Sequence, residues 1–564
     1  MNQTIQTTTD VLIVGGGIAG LVAANKIKEE SPDVEVLVVE RATVGHAGKA
    51  DKGAGILMYF QEDGDVDEYC DYVVSELGMY LNDQEILPKF LRATQVMVED
   101  LERWGCKYER DPEFDDELIT FSIDSEERWM IRMIDLDMME ILVKTGKKLG
   151  VKYINKVQIV DYLTVDGKVV GAVGFDVITG DYHVFSAKST VNATGSCCYM
   201  YAYMWKSARG DGIAAAYRAG AELRNCEFSN FYNMAKQGNY SCIVGPGTMF
   251  CYQNSEGNDI GPMYASRLEP DFSGQFYYGV ENEIKNGRGP IRLVPKKFME
   301  LHGTELRPMH QKFVAYSQLD KEVNYDLDKD DPNPVCIPYF LGEFSATRVD
   351  HDMQTTLPGL WAIGDSSYSG SGCIGALPAP GRMRGSGLGF AGASAILCAD
   401  TVAQYALDGA HVAPNEAQVE RLRQRVYAPL SRQGGMNPRD VIYEIQAAIT
   451  PPYFSLSKSD ESITEALGLV QTAIENAGNT DANGDYHMLG LCHDALNMSQ
   501  LAKLYFTASK ERTESRGFHY RTDYPYLDNY NWLKWSISKQ VDGEDILTWE
   551  DVPIDDYDIQ PPMM

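Results

Sequence analysis

Gly15, Gly17 and Gly20, followed by a carboxylate at Glu40, are the first residues in the chain whose types and spacing imply chemistry. An apolar strand at residues 11–14 leads into the glycines. An alanine-rich helical stretch runs on to about Glu30, Ser31-Pro32 stops it, and a second apolar strand, VEVLVVE, ends on Glu40. Glycines so placed allow a tight turn and bring backbone N–H groups at a helix N-terminus against a pyrophosphate. An acid about twenty residues further on accepts hydrogen bonds from a ribose. Together they predict a dinucleotide site. The next stretch, RATVGHAGKADKGAGI, is a loop of small residues suited to one side of a flat ring system, which favours FAD over NAD.

A second pattern lies far along the chain. PGRMRGSGLGF, residues 380–390, sets Arg382 and Arg384 in a glycine-rich approach to an apolar helical run. The glycines let the backbone come close to a ligand. The two guanidiniums point to an anionic one, because arginine grips a carboxylate with two parallel hydrogen bonds.

Composition narrows the function classes. The 564 residues are 44% apolar, enough for a large core in several domains or one fold with insertions. A net charge of −31 argues against nucleic acid or an anionic membrane as the main partner. After Lys539 there is no Lys or Arg, while eight Asp and Glu follow, so the tail is expected to be an exposed arm or a contact for a basic partner. The 11 cysteines show no CxxC spacing and no iron–sulfur or zinc pattern, so no metal site is expected. They read as buried free thiols of a reducing, cytoplasmic setting, with Cys197-Cys198 packed at a strand end. VLIVGGGIAGLVAA is too short and too broken by glycine to insert into a bilayer, and the N-terminus carries no basic region of a signal peptide.

Several elements must position these groups. Residues 151–195 read as strands turning at Gly167 and Gly180 and ending in STVNATG. RGDGIAAAYRAGAEL reads as a helix opening at Gly210, Asp211 and Gly212, with Asp211 suited to the helix dipole. LPGLWAIGDSSYSGSG restores a strand-plus-glycine pattern, residues 416–509 look helical, and the last fifty residues look irregular. The predicted division is an FAD-binding domain in two parts, 1–230 and 345–410, a capping domain at 231–344, a helical domain at 411–510 and an acidic, aromatic extension at 511–564.

The order of VLIVGGGIAG, VNATG, RGDGIAAAYRAGAEL, GRGPI and GLWAIGD resembles the fumarate reductase/succinate dehydrogenase flavoprotein superfamily. NGRGPI and YRTDYPYLDNYNWLKW are most similar to its adenylylsulfate reductase alpha-subunit branch. The resemblance implies an α/β chain with a Rossmann-like (GR2-type) FAD-binding domain, an inserted α+β capping domain and a C-terminal helical domain. It implies FAD contacts from Gly15, Gly17, Ala19 and Gly20 at the pyrophosphate and from Glu40 at the ribose, with Arg41 also among the cofactor-binding residues. Ala47, Gly48, Lys52 and Gly53 would lie along the flavin, Val157 at the adenine, and Ala193, Thr194, Gly195 and Asp211 would complete the pocket. Asp365 would hold the ribityl chain. Gly387 and Leu388 would aim amides at the N1/O2 edge, where a helix N-terminus stabilises reduced flavin.

The departures carry as much meaning. Gly48 stands where the succinate and fumarate enzymes bond a histidine to FAD, so non-covalent FAD is expected. Tyr232 and Pro338 stand at their two substrate histidines. Met58 stands at an asparagine of the sulfate-handling branch, and the histidine of that branch's GD loop is missing. The scaffold is kept while the adenylylsulfate ligands are lost, which implies a different substrate.

The expected function is an FAD-dependent oxidoreductase, a reductase that passes hydride from flavin N5 to a small anionic organic acceptor in an anaerobic pathway. Arg382 falls at the substrate-carboxylate arginine, Arg384 replaces a usual glycine, and Tyr232 is either the proton donor or a core tyrosine of the cap. One alternative is an adenylylsulfate reductase-like alpha subunit exchanging electrons with a ferredoxin-like iron–sulfur partner. Another is a flavin-binding protein without turnover.

Overall fold

The strand β1 (Thr4–Val14) is largely exposed over its polar first half, and from Val11 it disappears into the core. Val11, Leu12 and Ile13 are 0% exposed, as befits a parallel strand covered on both faces. This is a computed structural model, which describes residues 3–52, 55–108, 110–111, 117–118, 120–122, 129–135, 137–200, 208–228, 232–237, 251–264, 274–294, 297, 333–340, 343–367 and 386–562.

After β1 come α1 (Ile18–Glu30) and β2 (Val36–Glu40), the strand–turn–helix–strand unit predicted from the glycines. Next are α2 (Leu87–Arg103), α3 (Met138–Leu149) and β3 (Lys152–Asn155). Three strands follow, β4 (Val157–Val165), β5 (Lys168–Asp176) and β6 (Tyr182–Asn192). They turn where predicted, with Gly167 at φ 76° and Gly180 at φ 74°. The chain continues through α4 (Asp211–Ala219), β7 (Tyr232–Lys236), α5 (Gly274–Lys285), β8 (Ile291–Leu293) and β9 (Val335–Phe340). It then reaches β10 (Leu360–Ala362) and α6 (Ser386–Asp408).

The large sheet has the order β3-β2-β1-β6-β5-β4, with β10 beside β6. β1, β2, β3, β6 and β10 are parallel, while β4 and β5 pair antiparallel. All the parallel strands therefore end at one edge, the usual place for a ligand crevice in such sheets. β7, β9 and β8, with residues 252–253 as a fourth strand beside β8, build a separate antiparallel sheet.

Helix α6 packs closely because it is rich in small residues. A Cβ on Gly389 would lie 2.1 Å from the Met58 carbonyl oxygen, and one on Gly392 2.1 Å from Met97 Sδ. Residues 387–408 are long and apolar enough to cross a membrane. Yet Ala395, Cys398 and Val402 are wholly buried in the core shared with α1 and α2, so α6 serves as a core helix. The nine described cysteines are all free and buried, with Cys197 and Cys198 both 0% exposed.

The region read as helical contains α7 (Glu416–Ser431), α8 (Pro438–Ile449), α9 (Asp460–Gly478) and α10 (Tyr486–Glu511). The last fifty residues differ from expectation. They fold into a hairpin, β11 (Lys534–Val541) and β12 (Glu544–Asp551), turning at Asp542 and Gly543, both with positive φ. Trp535 and Ile537 point inward, and β11 adds to residues 223–224. The tail acids contact the chain's own groups: Asp545 pairs with Lys503 at 2.6 Å and Glu550 with Arg348 at 2.8 Å. The tail is thus no exposed irregular arm. Period-2 apolar residues and internal cations pin it down.

One buried group here makes a pH prediction. Lys458 is 0% exposed, and burial together with nearby Arg521 pushes its ammonium down to about 7. Its Nζ lies 3.3 Å from the Tyr505 hydroxyl. Between pH 7 and about 10 the unfolded lysine holds a proton that the native one has lost, so stability rises with pH across that window and the full penalty remains below it. Lys458→Met is expected to raise Tm by several degrees at pH 6 and to flatten that rise, as calorimetry over pH 6–10 would show.

Candidate active site

The glycines at the β1–α1 turn have separable roles. Gly15 has φ 111°, and a Cβ there would lie 2.3 Å from the Ala193 carbonyl oxygen. A Cβ on Gly20 would lie 2.1 Å from the Gly15 carbonyl oxygen. These two serve the turn and its packing on β6. Gly17 is different: an added Cβ would meet nothing within 4 Å. Gly17 caps α1, and no side chain accepts from the first-turn amides. The helix therefore presents an open, electropositive end that suits a pyrophosphate. Ala19 is buried in the first turn, and a Cβ added to Gly48 in the following loop would lie 3.2 Å from the Gly17 Cα.

Glu40 closes β2 beside this turn. Its Oε2 accepts from the Gly16 N–H at 2.8 Å and its Oε1 from the Ala42 N–H at 2.8 Å. Burial pushes this carboxyl up, and the two amides oppose the shift. Arg41 turns away from the turn and grips Asp494 of α10 through both guanidinium nitrogens, at 2.7 and 2.8 Å. It also lies 3.4 Å from Asp211, which accepts from Asn497 at 3.0 Å and Gln158 at 3.4 Å. Burial raises Asp211 to about 6 against the pull of Arg41. Arg41, which the resemblance implies as a cofactor contact, forms here an ion pair that locks α10 to the loop.

At the end of β6, Thr194 Oγ1 donates to Asn192 Oδ1 at 2.9 Å and accepts from the Gly212 N–H at 3.2 Å. Gly195 follows with φ 78°. Val157 is buried at the start of β4, in the core beside the same edge. Asp365 sits in a short turn after β10, and Gly364 beside it is wedged between Ala19 of α1 and Ala391 of α6. Two helix N-termini, those of α1 and α6, thus converge on one crevice, with Gly387 and Leu388 half-buried in the first turn of α6.

Sequence reasoning missed Lys49. It opens the turn Lys49–Lys52, and its Nζ donates to Ser196 Oγ at 2.8 Å, to Asp365 Oδ2 at 2.7 Å and to Glu343. Burial disfavours this charge, but the two carboxylates outweigh it and hold the ammonium protonated. The Cys198 thiol lies 3.5 Å from Ser196 Oγ, and burial pushes it up against the pull of Lys49. Asp494, Gln158 and Asn497 were missed as well, since no local pattern marks residues whose partners lie so far away in sequence. Arg382, Arg384 and Gly53 lie outside the described residues, as do the side chains of Lys52 and Tyr232.

Comparison with known proteins decides the family. A family model described as an FAD binding domain matches residues 10–236, and one described as the fumarate reductase flavoprotein C-terminal domain matches residues 453–563. The chain belongs to the fumarate reductase/succinate dehydrogenase flavoprotein superfamily. It is an FAD-dependent oxidoreductase. The fumarate reductase flavoprotein subunit of Mycobacterium tuberculosis is 24% identical over 95% of each chain. In fold, this flavoprotein is similar to a quinol fumarate reductase chain of E. coli, with TM-score 0.82, 21% identity and coverage of 100% of this chain and 99% of the other. Adenylylsulfate reductase of Archaeoglobus fulgidus follows with TM-score 0.80, 20% identity and coverage of 98% and 96%. The fold is shared about equally with both branches.

Proposed function

We infer that this flavoprotein holds FAD non-covalently in the crevice and reduces a small anionic organic acceptor. The observation that carries the cofactor placement is Gly17, whose side faces open space at the uncapped start of α1 while its neighbouring glycines are packed. In this reading Gly15, Gly17, Ala19 and Gly20 hold the pyrophosphate and Glu40 the ribose. Val157, Ala193, Thr194, Gly195 and Asp211 line the nucleotide side. Ala47, Gly48, Lys52, Gly53, Asp365, Gly387 and Leu388 line the flavin side. FAD, when bound, supplies two-electron exchange with the acceptor. The chain contributes the electropositive first turn of α6, which favours negative charge beside it. Arg382 and Arg384 directly precede that turn in sequence and supply the grip on a carboxylate. Tyr232 supplies a proton to the acceptor.

The test is anaerobic reduction of the yellow protein, followed by a screen of enoates, aryl enoates and sulfur oxyanions for flavin reoxidation. Reoxidation by an unsaturated carboxylate, weakened at least tenfold in kcat/KM by Arg382→Lys, is expected. Silence with every unsaturated carboxylate would sink the reading. A second reading, an electron-exchanging subunit with an iron–sulfur partner, draws support from one surface. Tyr526 is 69% and Tyr530 92% exposed in the C-terminal extension, and aromatic side chains of this kind are enriched at protein interfaces. Co-purification of a ferredoxin-like protein would favour it.

A further inference from the structure

We propose that Lys49 is an ionic clasp that closes the flavin-side loop over bound FAD. The proposal rests on placing FAD in the crevice described above. Lys49 follows Gly48, so the segment bearing it runs directly past the Gly17 turn. From there its side chain reaches three segments remote in sequence: Ser196 beyond β6, Glu343 beyond β9 and Asp365 beyond β10. An ammonium has three N–H donors. These three acceptors engage all of them, so Lys49 has none left for a ligand. It is a positioning residue.

The environment makes the contact strong. Ser196 is 0% and Glu343 5% exposed, and the Lys49 side chain is only 18% exposed. A charge cluster so shielded is screened by salt far less than a surface pair, and losing one partner leaves the others uncompensated. Without Lys49, the carboxylates of Glu343 and Asp365 would lose the cation that they share. The loop would lose its tie to the sheet edge, and the two carboxylates would disfavour added negative charge on a reduced flavin.

The test follows FAD release rather than turnover. Lys49→Met, Lys49→Arg and Glu343→Gln holoproteins are diluted, and flavin fluorescence reports the release rate at low and high salt. A midpoint potential is measured for each. Lys49→Met is expected to release FAD at least tenfold faster and to have a lower potential, with Lys49→Arg recovering much of both. Wild-type release and potential in Lys49→Met would overturn the clasp. Should that variant fail to fold, Glu343→Gln carries the test: faster release supports the clasp and an unchanged rate overturns it. Gly17→Ala separates the premise, since undiminished FAD binding in that variant places the cofactor elsewhere, whatever Lys49 does.

Discussion

Gly17→Ala is expected to leave the cofactor-free fold intact and to abolish FAD retention. Gly17 has φ −78° and ψ −174°, extended backbone open to any residue, and the added Cβ would touch nothing within 4 Å. Stability of the apoprotein should therefore change by no more than about 0.5 kcal/mol. The methyl group instead occupies space between the free first-turn amides of α1 and their ligand. Charge-assisted hydrogen bonds are worth about 1.5–3 kcal/mol each, so losing two costs roughly 100-fold or more in affinity. Gly15→Ala and Gly20→Ala should behave differently, because their methyl groups would press on backbone oxygens at 2.3 and 2.1 Å and damage the fold itself. Thermal unfolding of the apoproteins, with FAD titration by fluorescence quenching, separates the two outcomes. A Gly17→Ala protein that binds FAD as tightly as the parent would remove the pyrophosphate assignment.

Arg512→Met should be the most destabilising single change in the C-terminal region. Arg512 is 0% exposed and donates to Glu227 at 2.7 Å, to Glu514 at 2.9 Å and to the carbonyl oxygens of Trp532 at 3.0 Å and Lys534 at 2.5 Å. Its guanidinium also lies about 5 Å from the rings of Phe228 and Trp549. Removing one partner of such a buried cluster costs about 3–5 kcal/mol, because Glu227 is left dry with no ion-pair partner but only the Ser536 hydroxyl donating to it, while Glu514 keeps Arg516 alone as its cation. Over 564 residues that corresponds to a loss of roughly 3–4 °C in Tm. Hydrogen exchange should rise first in β11 and β12, which hang on the Trp532 and Lys534 carbonyl contacts. A Tm within about 2 °C of the parent would contradict this assignment.

The part of the site made by short-range patterns was legible in the sequence. The β1–α1–β2 unit and Glu40 could be read because turn, helix and strand periods all act within thirty residues of each other. The turns at Gly167 and Gly180 and the helix at Asp211 were legible for the same reason. Lys49 and Asp494 were not, because a lysine in a loop and an aspartate in a helix carry no local mark of partners hundreds of residues away. The C-terminal hairpin is a different case. Its alternating residues around Asp542-Gly543 were present in the sequence, but the density of acids favoured a solvated tail. Charge composition reports the outer face of β12, whereas the burial of Trp535 and Ile537 on β11 decides the structure.

The bidentate pair between Arg41 and Asp494 has a consequence for how the protein is made. A ribosome delivers residues in order, and the nucleotide-binding turn emerges early. The helix that locks its loop emerges only when nearly all of the chain has been synthesised. Asp365, the other anchor of the crevice, also arrives late. A nascent chain that has folded only its first two hundred residues therefore displays the phosphate cradle without the parts that close it. Flavin loading is thus expected late in synthesis, once α10 has emerged, and chains truncated before it should accumulate colourless.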